Sequence, residues 1–76
     1  MTTKAFVLID TVAGQTRAVL AILRELKGVQ SANAVTGPYD IIAVVKKETL
    51  SDIGDLVTSE VHPLDGVTRT VTCLVA

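Results

Sequence analysis

Few side chains in this 76-residue sequence could do chemistry, and they fall in two short stretches. The first is Thr36-Gly37-Pro38-Tyr39-Asp40. Asp40 can pair with an ammonium group. The backbone N–H groups around Gly37 and Tyr39 can face a carboxylate, because glycine permits close backbone approach. Pro38 has no N–H and cannot join them. Tyr39 can wall a pocket or donate its hydroxyl. In the second stretch, Thr70 and Thr72 stand two apart on a strand-like segment, so their hydroxyls share one face. Each residue also has a plainer use. Asp40 can serve a hairpin or an interface, Tyr39 can pack between subunits, the threonines are good strand formers, and any turn here wants Gly37.

Catalytic sets are missing. No Ser-His-Asp arrangement, Gly-rich phosphate loop or pair of catalytic carboxylates can be assembled. His62, the only histidine, precedes Pro63 at a helix end and reads as solvated punctuation. Cys73, the only cysteine, sits in an apolar strand and reads as a small core residue rather than a nucleophile. One histidine and one cysteine leave no internal disulfide and no zinc or haem ligand set, so no metal or other cofactor is expected.

The seven basic residues are scattered and the net charge is −1, which argues against direct nucleic-acid binding. No apolar run approaches the ~18 residues of a membrane span; Ile41–Val45, for instance, has five. Met1-Thr2-Thr3-Lys4 runs straight into a strand and leaves no room for a signal peptide, so a cytoplasmic location is expected.

The elements that must position these residues follow from periodicity. Ala5–Ile9 is apolar at every position and predicts a strand buried on both faces. From Gln15 to Lys27, Val19, Ile22, Leu23 and Leu26 recur at helical spacing, with Arg17, Arg24 and Glu25 for the wet side and Gly28 as the stop. A strand over Val29–Thr36 and another over Asp40–Val45 flank Gly37-Pro38 as a tight hairpin. Thr49 or Ser51 can cap a second helix with the stripe Leu50, Ile53, Val57 and Val61, which His62-Pro63 ends. Val67–Val75 is the last strand. The order βαββαβ is the ferredoxin-like α+β arrangement, a four-stranded antiparallel sheet with two helices on one face, filling residues 1–76 as a single domain. Leu26-Lys27-Gly28-Val29 and Leu64-Asp65-Gly66-Val67 echo each other where a two-fold repeat of βαβ should place them.

Such a small chain has a marginal core and needs help from a disulfide, a metal or self-association. Only the last is open. Hydrophobic residues are 49% of the chain and mean hydropathy is +0.50, more apolar surface than one small core can hide. Phe6 and Leu8 oppose Val7 and Ile9, while Ile42 and Val44 oppose Ile41, Ala43 and Val45. One set covers helices; the other calls for dimerisation through the sheet.

Thr36-Gly37-Pro38-Tyr39-Asp40, between the second and third strands of a βαββαβ domain, resembles the Thr-Gly-x-Tyr-Asp turn of the effector-binding (RAM) domain of Lrp/AsnC transcription regulators. Gly66-Val67-Thr68-Arg69-Thr70-Val71-Thr72 resembles that family's last strand, Gly-Val-x-x-Thr-x-Thr. The resemblance spans essentially the whole chain in element order. It departs in one respect: those regulators carry a helix-turn-helix domain before this one, and this chain looks like a free-standing version. The family implies dimers joined into octameric or decameric rings, with an amino acid held between dimers. From their own chemistry, Gly37, Tyr39, Asp40, Thr70 and Thr72 are the candidate contacts. It also implies transcriptional or metabolic regulation, with a full-length regulator as a further partner. Two other readings share the size and shape, a cofactor-independent monooxygenase and a pure assembly module.

Overall fold

The computed structural model describes residues 2–75. Four strands, β1 (Thr3–Thr11), β2 (Val29–Ala34), β3 (Ile41–Lys47) and β4 (Val67–Leu74), and two helices, α1 (Thr16–Leu23) and α2 (Leu50–Leu56), follow the order βαββαβ. The sheet is antiparallel with strand order β2-β3-β1-β4. The two most apolar strands, β1 and β3, therefore take its centre.

Alternation along those strands builds the core. Ala5, Val7 and Ile9 on β1 and Ile41, Ala43 and Val45 on β3 are fully or almost fully buried on one face. Val19 and Leu23 of α1, Ile53 and Leu56 of α2, and Val61 close over them, and no polar residue joins this core among the described residues. The opposite face is open. Register rows place Cys73, Phe6, Val44 and Ser31 side by side, then Val71, Leu8, Ile42 and Asn33. Phe6 remains 40% exposed there.

Several local expectations need correction. The α-helical part of the first helix stops at Leu23; Glu25 and Leu26 then donate to Ile22 and Leu23 in tighter turns before Gly28. Ile22 faces solvent, and Arg24, though exposed, reaches the second strand, its Nε donating to the Ala32 carbonyl at 2.9 Å. In α2 Leu50 is 56% exposed and Leu56 takes its place in the core. Thr49, not Ser51, is the cap, its hydroxyl accepting from the Asp52 N–H at 3.1 Å. Past Leu56 the helix widens into a π-helical turn, Val57–Val61, closed by the His62 N–H on the Val57 carbonyl, and the wide turn still seats Val61 in the core. Strand β2 ends at Ala34, so the hairpin is broader than a tight turn: the Val35 N–H donates to the Asp40 carbonyl and four residues form its tip. Cys73 is exposed on the open face, because β4 is an edge strand and its odd positions turn away from the helices.

The echo between the two halves is structural. Val29 donates to the Leu26 carbonyl and Val67 to the Leu64 carbonyl at 3.2 and 3.1 Å, around Gly28 and Gly66 with φ of 94° and 95°. All four flanking side chains pack against the core.

Candidate functional site

The β2–β3 turn lies at the end of the sheet where β1 finishes and β4 starts. The Asp40 N–H donates to the Ile9 carbonyl at 3.0 Å, and Ile9 pairs with Thr70 on the other side. Gly37, at the exposed tip, has a φ of 132°, a conformation L side chains rarely adopt, and a Cβ there would meet nothing within 4 Å. The turn thus presents its backbone to open space.

Asp40 is half-buried, and its carboxylate has a partner within the chain. Oδ2 accepts from the Thr11 N–H at 2.8 Å and from the Thr11 hydroxyl at 3.2 Å. The Thr11 hydroxyl is in turn 2.6 Å from that of Thr16, in the first turn of α1. This latch ties the hairpin to the β1–α1 loop. It was not legible in the sequence, which offers no spacing signal between residues 11 and 40. Tyr39 is half-buried beside Arg69, whose guanidinium carbon is 5.6 Å from the ring centroid.

Thr70 and Thr72 stand opposite Ile9 and Val7, so both hydroxyls are on the helix side of β4. Thr70 is half-buried and Thr72 exposed. No hydrogen bond joins either to the turn among the described residues. Gly37, Tyr39 and Asp40 therefore form one group with Thr11, Thr16 and Arg69, and the two threonines form a second, one strand away. Among the described residues, neither of two surface depressions holds both groups. One surface depression is lined by Ala34, Val35 and Thr36 beside the turn. Another, lined by Lys47, Glu48, Asp52, Asp55 and Glu60 among others, is at the far end of β3 and holds none of these residues. His62 is exposed just past the helix, as expected of a stop. Among the described residues no group of three or more His, Cys, Asp or Glu is placed to hold a metal, and no helix is long and apolar enough to cross a membrane.

Residues 4–76 match the family model of the Lrp/AsnC ligand binding domain. The chain belongs to that family. Among solved structures, this Lrp/AsnC domain is similar to TTHA0845 from Thermus thermophilus, at 36% identity and a TM-score of 0.93, covering 97% of this chain and 92% of that one. It is similar to FFRP-DM1 at 31% identity and a TM-score of 0.93, covering 97% and 99%. The fold extends to the transcriptional regulator NMB0573 from Neisseria meningitidis, solved as a complex with L-Met, at 21% identity and a TM-score of 0.87; there 97% of this chain covers 49% of the regulator. No curated protein matches the chain. The Lrp/AsnC membership and the βαββαβ sheet agree with the sequence reading; the family is one of regulatory, effector-binding domains.

Proposed function

We propose that this domain binds a free amino acid between subunits of a homo-oligomer and passes the signal to a partner protein. The observation that carries the reading is the match of residues 4–76 to a ligand-binding domain, with an acid placed in its hairpin turn. A free amino acid needs an anion for its ammonium and donors for its carboxylate. Asp40 uses Oδ2 for Thr11, and Oδ1 can serve the ammonium. Backbone N–H groups around Gly37 and Tyr39 supply donors, and Thr70 and Thr72 of a neighbouring subunit complete the pocket that one chain leaves open. The L-Met complex of the NMB0573 regulator supports an amino acid as the ligand class.

The open sheet face supports self-association. Phe6, Leu8, Ile42, Val44 and Val71 form a contiguous apolar strip, and a second copy laid on it would return about 25 cal/mol for each Å² of apolar surface covered. Dimers so formed would assemble into rings of eight or ten chains, acting in the cytoplasm as a single-domain, non-catalytic unit. The partner that carries the output would be a full-length Lrp/AsnC regulator, whose ligand-binding domain has this same fold. Native mass spectrometry with and without a pool of the twenty amino acids tests this. Assemblies of eight or ten chains retaining one amino acid per subunit are expected. A bare dimer indifferent to all twenty would overturn the sensor reading.

A further inference from the structure

We infer that Arg69 is the residue that grips the effector's carboxylate, an assignment that rests on the amino-acid-binding reading above. Arg69 is on β4 and Tyr39 in the β2–β3 turn, with β1 between them, since Asp40 bonds to Ile9 on one side and Arg69 pairs with Asp10 on the other. The guanidinium is nevertheless 5.6 Å from the Tyr39 ring centroid. Its side chain therefore reaches back across β1 to the turn that carries Asp40. Neighbouring strands are about 4.8 Å apart, so the two backbones stand roughly 10 Å from each other, a gap an arginine spans.

The 5.6 Å separation is within cation–π range, so the ring attracts the guanidinium and keeps its five N–H donors near the turn. Among the described residues no ion pair joins Arg69 to Asp10, the acid opposite it in register. Within the single chain the side chain is exposed, so no group of its own chain has to leave before an anion reaches it. Asp40 and Arg69 thus offer one negative and one positive group at the same end of the sheet, the complement of a zwitterion. An arginine fork binds a carboxylate through two parallel hydrogen bonds, a geometry that backbone N–H groups at the turn do not reproduce with charge. On this assignment the turn's N–H groups assist, and Arg69 decides between a free acid and its neutral derivatives.

The test is calorimetric titration of the intact assembly with each of the twenty L-amino acids and with the matching amino-acid amides, which keep the ammonium and lose the negative charge. The wild-type protein should prefer the bound acid over its amide by roughly tenfold to a hundredfold, the range of a charge-assisted contact. Arg69→Gln should bring that ratio near one, Arg69→Lys should restore part of it, and Tyr39→Ala should lower it by removing the platform. Arg69 is exposed, so circular dichroism of Arg69→Gln should match the wild type. An acid-to-amide ratio unchanged in Arg69→Gln would overturn the assignment and leave the amino-acid reading standing. Binding of none of the twenty by the wild-type protein would overturn that reading and the assignment with it.

Discussion

Asp40 illustrates how one side chain can hold a fold and a ligand at once. Oδ2 is committed to Thr11, and the hydrogen bond from the Thr11 N–H satisfies a donor that the end of β1 would otherwise leave unpaired. Two substitutions separate the duties. Asp40→Asn keeps an acceptor for Thr11 and loses the charge, so calorimetry should find amino-acid affinity lost with thermal stability near the wild type. Asp40→Ala removes both, and denaturant unfolding should show a further loss of about 1–3 kcal/mol, with the oligomer still formed. Equal stability of the two variants would remove the latch from the account. Unchanged affinity in Asp40→Asn would remove the ammonium role. The sequence made Asp40, Tyr39 and Gly37 visible because turn chemistry alone does not ask for an acid and an aromatic after Gly-Pro. It could not reveal Thr11, Thr16 or Arg69 as their neighbours, since those contacts depend on which strands lie beside which.

At the scale of elements, the glycines rank by what surrounds them. Gly66 has a φ of 95°, and a Cβ there would come within 2.9 Å of the Gln15 Cβ and 3.2 Å of a Val19 methyl. Gly28 has a φ of 94°, but its added Cβ would meet only the end of the Lys47 side chain, which can swing aside. Both alanine variants incur the positive-φ strain of about 1–2 kcal/mol. Gly66→Ala should lose more, since α1 must shift, and chemical denaturation should place it below Gly28→Ala. Gly54 is the reverse case: it is inside α2 with nothing within 4 Å of an added Cβ. Gly54→Ala should stabilise the protein by about 0.5–1 kcal/mol through helix propensity. A melting temperature that falls instead would mean the exposed face of α2 touches another subunit. Element types and order were readable because periodicity, caps and turn residues act locally. Boundaries were less so: Leu50 fits the helical stripe on paper, but it opens α2 and is 56% exposed.

The whole molecule has one dressed sheet face and one bare one. Phe6 is at the centre of the bare face with Val44 and Cys73 as its register neighbours, and the Lys4 ammonium lies 6.0 Å from its ring centroid. Phe6→Glu should leave the single-chain fold intact, because the side chain supports no part of the core. In a face-to-face dimer it would bury an unpaired charge, which costs far more than giving up the apolar packing of the ring. Native mass spectrometry should then find monomers, and amino-acid binding should fall with the assembly. An unchanged oligomer in Phe6→Glu would send the subunit contact elsewhere, with the exposed edges β2 and β4 as the next surfaces to test.

By itself the sequence determined the βαββαβ order, the glycine and proline punctuation between elements and the surplus of apolar surface. Each of these depends on residues close together in the chain or on bulk composition. Only the tertiary structure decided that Cys73 is exposed, that Leu56 displaces Leu50 from the core, that Asp40 holds Thr11, and that Arg69 reaches the Tyr39 ring. Those outcomes follow from strand order and register, which long-range pairing sets. In a sheet of period two, a slip of one residue would turn every strand side chain among them to the other face.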